Sequence, residues 1–321
     1  MQNEFLTDWQ ILIGAIQHWL AGGDPYGPYP SFQGFMRAGG AFAYPPAALV
    51  LGWPVALLPW QLSGVLMLLI SIAGFEYWAR RRGSGIALPW LLIWLPLCQG
   101  LWIGQVTLLA LVALALADLF EDDKRDLFAG AMIALAMVKP QTVALPAAYM
   151  LLRAARARRW RLLASFAGLS ALLWGGAALL SGPAIYVQWV AGLRNYGPNL
   201  PNRPLLFPPF GPGIGLLAGA LWWRYGRHDW WGALLLLNTL IFPMSVVYVA
   251  VGLAFVVLRW RPATPWYPLA LSWAMPMLLA GPRTPDTIAA ITQATVGTVL
   301  LAGLAPALPW GRLSAWRRAA R

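Results

Sequence analysis

Apolar segments follow one another along most of the chain and are separated by short polar or charged stretches. Because roughly 20 apolar residues span a bilayer as a helix, this pattern predicts membrane-crossing helices. We therefore predict an all-α fold, a polytopic membrane helical bundle with about 11 crossings (roughly 10–13). The segments are 62–79, 86–98, 106–120, 127–138, 142–152, 162–180, 205–223, 230–241, 245–258, 264–281 and 288–305.

Two stretches, 127–152 and 230–258, each contain a polar or proline break and fit either one span or a hairpin. Two hairpins place 18 of the 23 Lys and Arg residues on one side of the membrane. A single span over 127–152 would put the arginines of 153–161 opposite those of 80–82, against the positive-inside rule. We therefore predict two hairpins, with the N-terminus outside and the C-terminus in the cytoplasm.

The break in the first hairpin carries Lys139. At 1.5 Å per residue the helix before it is about 18 Å long, which is short of a bilayer core roughly 30 Å thick. Lys139 would then lie below the outer surface, where an ionisable residue marks a functional site. The alternative is that its long side chain reaches the interface. Gln105 and Gln141 are predicted on the same side.

The N-terminal stretch 1–46 is polar, rich in Gly and Pro, and too interrupted to span a membrane. Within it, residues 11–20 predict an amphipathic helix at the interface, with Gln17 and His18 on its wet side. Loops of this kind carry function on a membrane scaffold. We predict one membrane domain over 1–321, with an outer catalytic loop at 1–46, motif-bearing helices at 47–152 and the remaining helices at 153–321.

Composition supports the membrane assignment, because 60% of the residues are hydrophobic and only 11% are charged. A net charge of +12 would suggest nucleic acid in a soluble protein, but here it is the topology signal, so no nucleic-acid partner is expected. Cys98 is the one cysteine, which excludes an internal disulfide and a cysteine metal site. With two separated histidines and no His/Glu motif, we expect no metal and no cofactor.

Short motifs along the first half of the chain resemble two related groups of enzymes. Those of the first loop resemble the GT-C superfamily of polyprenyl-phosphate-dependent glycosyltransferases, and the later ones resemble glycosyltransferase family 87, which includes mycobacterial mannosyltransferases. The resemblance covers about residues 8–152. Its motifs are Asp8, Gly22-Gly23-Asp24-Pro25-Tyr26, Tyr44-Pro45-Pro46, Gly104-Gln105-Val106-Thr107-Leu108-Leu109, Ala129-Gly130 and Val138-Lys139-Pro140.

The resemblance implies transfer of a hexose, with mannose favoured, from a polyprenyl-phosphate sugar to a hydroxyl of a lipid or glycan acceptor. Transfer would proceed with inversion, on the non-cytoplasmic side of a bacterial plasma membrane, and would need no metal. Relatives normally have a transmembrane helix before the first outer loop. This sequence begins seven residues before Asp8 and departs from that pattern, so we expect either a truncated or misassigned start or a first helix that is supplied otherwise.

Asp8 is the candidate catalytic base, because the acceptor hydroxyl must lose a proton as the bond forms. Its alternative role is the N-cap of a helix over 9–20. Positive or hydrogen-bonding groups must also hold the departing lipid phosphate. The candidate substrate-binding residues are Asp24, Tyr26, Tyr44, Gln105, Lys139, Gln141 and Arg203, and the other outer arginines are Arg37, Arg194 and Arg283.

Several of these residues also fit structural roles. Asp24 fits a turn, the two tyrosines fit aromatic anchors, Gln105 fits a helix cap, and Arg203 fits a solvated loop. At the level of the whole chain, a transporter or lipid flippase also has broken helices and a buried lysine, but it should show an inverted repeat. A non-catalytic membrane scaffold is the third interpretation.

Overall fold

A computed structural model describes residues 5–27, 42–83, 92–195, 203–260, 266–274, 276 and 284–305. Regular structure within these ranges is helical throughout, as the sequence predicts. Helical turns of π or 3₁₀ type occupy Trp222–Gly226, Val247–Ala250 and Leu271–Trp273. The α-helices are α1 Thr7–Leu20, α2 Pro46–Ala56, α3 Trp60–Arg81, α4 Leu95–Ile103, α5 Thr107–Asp122, α6 Asp126–Ala136, α7 Pro140–Arg156, α8 Trp160–Ser181, α9 Ala184–Asn195, α10 Gly211–Leu221, α11 Trp230–Ile241, α12 Val251–Trp260, α13 Trp266–Ala270 and α14 Pro285–Leu304.

Among the residues that the structure describes, three helices, α3, α8 and α14, are long and apolar enough to cross a membrane. Only three of the 22 residues of α8 are buried, and Leu172, Leu179 and Leu180 are exposed, so its apolar surface is available to lipid. Shorter apolar helices are α2, α6, α11 and the stretch Val247–Trp260. These findings agree with an integral membrane helical bundle. The number of about 11 crossings stays a prediction, since several predicted segments form helices too short to span alone.

The first predicted hairpin is confirmed by a break and by ion pairs. Helix α6 ends at Ala136 and α7 begins at Pro140. Asp126 is the first residue of α6, and Arg159 follows α7. The Nε of Arg159 lies 3.0 Å from Asp126 Oδ1, so the chain after α7 lies beside the start of α6. Residues 126–159 therefore leave one end of the bundle and come back to the same end.

The second hairpin closes in the same way. Helix α11 ends at Ile241, and helical structure resumes at Val247 after a stretch that contains Pro243. Asp229 precedes α11, and Arg259 near the end of α12 places its Nε 2.6 Å from Asp229 Oδ2. The two ends of this segment are therefore neighbours, as the distribution of arginines predicts.

One end of the bundle gathers acidic and basic side chains from seven of the described helices or their flanks, and we refer to it as the ion-pair end. Buried Asp118 of α5 pairs with Arg82 after α3 and with Arg259 of α12, the latter at 2.8 Å. Buried Glu121 pairs with Arg153 at 2.6 Å and with Arg159 at 3.0 Å. Each of the basic clusters 80–82, 153–161 and 259–261 thus contributes at least one arginine to this end. The cluster 312–321 lies outside the described residues.

Helix α1 differs from its prediction in what its apolar face contacts. Trp9, Leu12, Ile13 and Ile16 are buried, and α1 packs against α2 and α3 rather than presenting these side chains to lipid. Gln17 is exposed as predicted, and its Nε2 donates to the backbone carbonyl of Ala56, the last residue of α2, at 3.0 Å. The neighbouring helices supply enough apolar surface to bury the face within the protein.

Candidate active site

Asp8 lies within the first turn of α1. The helix begins at Thr7 and its N-cap is Leu6, so the predicted start at residue 9 and the N-cap role of Asp8 are wrong. A carboxylate in a first turn is stabilised by the positive end of the helix dipole. Its Oδ2 accepts a hydrogen bond from Nε2 of Gln105, which is 97 residues away in the sequence.

Gly104 explains how these two residues meet. It ends α4 in the left-handed region at φ 72°, which a residue with a side chain rarely adopts. A Cβ at this position would lie 2.7 Å from Cβ of Trp9, so the chain at Gly104 touches α1. The amide of Leu6 also donates to the carbonyl of Trp102 at 2.7 Å. These contacts hold the start of α1 against the α4–α5 junction and bring Asp8 beside Gln105.

Gln105 is buried and is hydrogen-bonded to four other polar side chains, one of which is the neighbouring Thr107 at 3.5 Å. Its Oε1 accepts from Tyr44 Oη at 2.9 Å and from Lys139 Nζ at 2.5 Å, while its Nε2 donates to Asp8. Helix α5 begins at Thr107 with Val106 as its N-cap, and no side chain caps it. The capping role of Gln105 is therefore wrong. We call Asp8, Gln105 and Lys139 the Asp8–Gln105–Lys139 cluster.

Lys139 sits at the break between α6 and α7. It is the N-cap of α7, and Pro140 occupies the first helical position, where its missing N–H costs nothing. The side chain is buried, with Nζ 5.0 Å from the ring centre of Tyr44 and 5.8 Å from that of Tyr248. Its surroundings are protein groups, so the interpretation that it reaches the interface is wrong. Tyr248 was not predicted, since a lone aromatic residue near a helix break carries no signal.

The electrostatics of the cluster combine opposite charges with helix dipoles. Helices α1, α5 and α7 all begin here, and their N-termini contribute partial positive charge. Burial raises the pKa of Asp8 above its usual range, and the positive charge of Lys139 works in the opposite direction. The buried ammonium and the helix N-termini together favour an anion in their vicinity.

Tyr26 and Asp24 support the cluster from outside it. Tyr26 is buried, and its Oη donates to the carbonyl of Tyr44 at 3.0 Å. Asp24 is exposed, and its Oδ1 accepts from the amide of Tyr26 at 2.9 Å, an arrangement typical of a turn. In the structure Asp24 thus fixes the turn at Tyr26, and Tyr26 in turn fixes the backbone of Tyr44.

Gln141 and Arg203 are not brought into the cluster. Gln141 is exposed, and its backbone carbonyl accepts from Asn238 Nδ2 at 2.9 Å. Arg203 pairs with Asp286, in the first turn of α14, at 3.0 Å. Gln141 lies two positions after Lys139, and at about 100° per residue two such positions on a helix point to nearly opposite sides. Arg194 is exposed on α9, and Arg37 and Arg283 lie outside the described residues.

An apolar groove of about 390 Å³ leads to the cluster, and we call it the apolar groove. Side chains of α1, α2, α3, α5 and α6 form its walls, including Leu12, Leu51, Met67 and Leu109. Among the described residues that line it, Lys139 is the one that carries a charge. The sequence did not reveal this groove, because its walls come from five helices and share no motif.

The described part of the chain shows no group of three or more His, Cys, Asp or Glu side chains placed to hold a metal ion. Helices able to span a membrane, together with a buried acid, amide and lysine beside an apolar groove, define an integral membrane protein with a polar site within its helical bundle.

The family model of glycosyltransferase family 87 matches residues 42–282 of this chain. The match covers more than half of the sequence, so the chain belongs to this family and is a membrane glycosyltransferase. The matched range contains Tyr44, Gln105 and Lys139, and Asp8 lies before it. Comparisons with curated proteins and with solved structures found no match.

Proposed function

We propose that this protein transfers a hexose, with mannose favoured, from a polyprenyl-phosphate sugar to a hydroxyl of a lipid or glycan acceptor, with inversion. The observation that carries the proposal is the Asp8–Gln105–Lys139 cluster at the end of the apolar groove. It combines a carboxylate, a fixed amide and a buried ammonium, which are the groups that such a transfer needs.

The apolar groove supports a lipid-linked donor. A volume of 390 Å³ falls within the range of roughly 300–1,000 Å³ typical of small-molecule sites. An isoprenoid chain would pack against its leucine and methionine side chains, and the phosphate would meet Lys139 and the N-terminus of α7. A nucleotide sugar has no comparable apolar part to fill such a groove.

Asp8 would act as the general base. The acceptor oxygen forms a bond to the anomeric carbon, the bond from that carbon to the phosphate oxygen breaks, and the acceptor proton passes to Asp8. The departing lipid phosphate keeps the bonding electrons and its charge is balanced by Lys139. The raised pKa of Asp8 brings this base closer to neutral pH, where general bases are most effective.

Inversion is supported by the number of carboxylates at the site. Retaining glycosyl transfer of the covalent type uses a second carboxylate as nucleophile. Within the Asp8–Gln105–Lys139 cluster, as far as the described residues show, Asp8 is the single carboxylate. A one-step displacement requires one base and gives an inverted product.

The proposed side of the reaction follows from helix α5. Gln105 immediately precedes this helix, while Asp118 and Glu121 of the ion-pair end lie in its last turns. The helix has 16 residues and is therefore about 24 Å long. The positive-inside rule assigns the arginine-rich end to the cytoplasm, which puts the cluster on the non-cytoplasmic side of a bacterial plasma membrane.

The proposal is tested by Asp8→Asn in membranes that contain the overproduced protein, supplied with radiolabelled polyprenyl-phosphate mannose. We expect labelled product to fall by about 10²–10⁴-fold, since a neutral amide cannot accept the proton. Asn keeps the size of Asp and can still accept a hydrogen bond from Gln105, so folding should be preserved. Thermal stability in detergent checks this point.

Asp122→Asn is the matched control, because this aspartate is about half exposed and lies at the ion-pair end of the same bundle. It should leave transfer unchanged. Turnover retained by Asp8→Asn would contradict the base assignment. Binding of the labelled donor without any turnover by the unmodified protein would instead favour the non-catalytic scaffold, and product formed from a nucleotide sugar alone would contradict the lipid-linked donor.

A further inference from the structure

A second pocket, of about 510 Å³, lies where α1 ends and where α2, α8 and α9 approach the following turn. We call it the Trp53 pocket. Its lining includes Trp19, Asp24, Trp53, Ser181 and Gln188, none of which belongs to the Asp8–Gln105–Lys139 cluster. No part of the mechanism above uses it.

The walls of the Trp53 pocket are held in place by specific contacts. The indole Nε1 of Trp19 donates to Ser181 Oγ, which links α1 to the end of α8. The turn that carries Asp24 is fixed by the hydrogen bond from the amide of Tyr26. Gly23 packs closely on His18, because a Cβ at this position would lie 2.2 Å from the His18 ring. The pocket is therefore preformed.

The chemistry of the lining selects among ligands. Two indole rings, a carboxylate, an amide and a hydroxyl face the pocket, and no Lys, Arg or His is among the described residues that line it. A phosphate or carboxylate ligand would be repelled by Asp24 and would find no cation. A neutral polyol can donate hydroxyl groups to Asp24 and Gln188 and place its C–H face on exposed Trp53.

The Trp53 pocket is also linked to the proposed catalytic residues. Asp24 accepts from the amide of Tyr26, the hydroxyl of Tyr26 donates to the carbonyl of Tyr44, and the hydroxyl of Tyr44 donates to Gln105. The turn at Asp24 and Tyr26 therefore lines the pocket and also contacts Tyr44, which donates to the cluster. A ligand seated against Asp24 would be bound next to the element that positions Tyr44.

We infer that the Trp53 pocket binds a neutral saccharide, namely the sugar part of a glycan acceptor. The acceptor role of this saccharide rests on the proposed function. The binding of a neutral saccharide rests only on the residues that line the pocket. It selects the glycan from the two acceptor classes, lipid or glycan, between which the site alone does not decide.

The test is direct binding of methyl α-mannopyranoside and methyl β-glucopyranoside to the full chain by saturation-transfer NMR, in a detergent without a sugar headgroup. We expect saturation transfer to at least one glycoside in the unmodified protein. Gln188→Ala and Trp53→Ala should each weaken it by about tenfold, the effect of losing one good contact. Asp24→Asn, which can keep the turn, should weaken it as well.

Gln61→Ala and Trp223→Ala are the matched controls, since both residues are exposed and lie outside the pocket. They should bind the glycosides as the unmodified protein does. Equal binding by all pocket variants, no binding at all, or displacement of the glycosides by inorganic phosphate would overturn the inference. Asp8→Asn should keep glycoside binding, so failure of the catalytic proposal is distinguishable from failure of this one.

Discussion

Gln105 is the residue on which the geometry of the site depends. A carboxylate and an ammonium buried together tend to form a direct ion pair, which would leave neither available to a substrate. Here an amide stands between them, donating to Asp8 and accepting from Lys139. The two charges are thereby held apart and in fixed orientation, with Tyr44 occupying the remaining position on Gln105 Oε1.

Lys139→Ala should raise the KM for the lipid-linked donor by about tenfold or more, because a hydrogen bond to a charged group is worth about 1.5–3 kcal/mol. The physical reason is loss of the charge that would meet the donor phosphate. Initial rates at varied donor and saturating acceptor measure the effect.

Lys124→Ala provides the control, since the chain has two lysines and this one is exposed at the opposite end. Its donor KM should not change. An unaltered donor KM in Lys139→Ala would remove this residue from the phosphate site.

At the scale of elements, helix breaks and close approaches of the backbone create the site. Gly104 lets α1 contact the α4–α5 junction, and Pro140 starts α7 directly after Lys139. Gly130 allows α6 and α8 to pack closely, because a Cβ at this position would lie 2.2 Å from the carbonyl oxygen of Leu162 in α8. Gly104 and Gly130 of the family-like motifs thus have packing reasons that are visible in the structure.

Gly104→Ala should lower activity and thermal stability together. An L-residue in the left-handed region costs roughly 1–2 kcal/mol, and the added methyl group would press on Trp9. The start of α1, and Asp8 with it, would move relative to Gln105. Thermal unfolding in detergent and the transfer rate in membranes measure both effects.

Gly168→Ala is the matched control within α8, where nothing lies within 4 Å of an added Cβ and φ is ordinary. It should leave both the transfer rate and stability unchanged or raise stability slightly, since alanine favours the helix. Wild-type activity in Gly104→Ala would contradict the positioning role of this glycine.

At the scale of the whole molecule, the ion-pair end and the Asp8–Gln105–Lys139 cluster occupy opposite ends of α5. The acidic residues of the 121–126 loop neutralise arginines from α7 and from the turn before α8. They close the first hairpin, and Asp229 closes the second. Stability of the bundle and chemistry at the site are thus carried by separate groups.

Glu121→Gln should destabilise the protein by about 1–3 kcal/mol, because it removes the charge of a buried carboxylate that pairs with Arg153 and Arg159. Arg153 is partly exposed, so its ion pair with Glu121 contributes less to this stability than a buried pair would. Thermal unfolding in detergent gives the change, while the donor KM should stay that of the unmodified protein.

Asp122→Asn serves again as the control. The Asp122 carboxylate is about half exposed to solvent, so its ion pair with Arg82 should contribute little to the free energy of unfolding. A melting temperature of Glu121→Gln equal to that of the control would show that the ion-pair end does not stabilise the bundle.

Much of the fold was predictable from the sequence. The helical class, the breaks at Lys139 and near Pro243, and the return of both hairpins to one end followed from hydropathy and from the placement of arginines. Hydropathy and the placement of arginines can both be evaluated from the sequence alone, without knowing which helices pack together. The convergence of Gln105 and Lys139 also followed, since topology put both on one side.

The sequence by itself determined a polytopic helical bundle, because the cost of burying polar groups in lipid imposes a continuous apolar run on each span. It also indicated that the basic clusters share one end, because Lys and Arg concentrate on one side of the membrane. Tertiary structure alone decided that Gln105 joins Asp8 to Lys139 and that Gln141 and Arg203 point elsewhere. It also decided that one pocket reaches Lys139 and that another forms at the opposite end of α1. Those outcomes depend on which faces of several helices meet, and packing between distant segments leaves no periodic trace in the sequence.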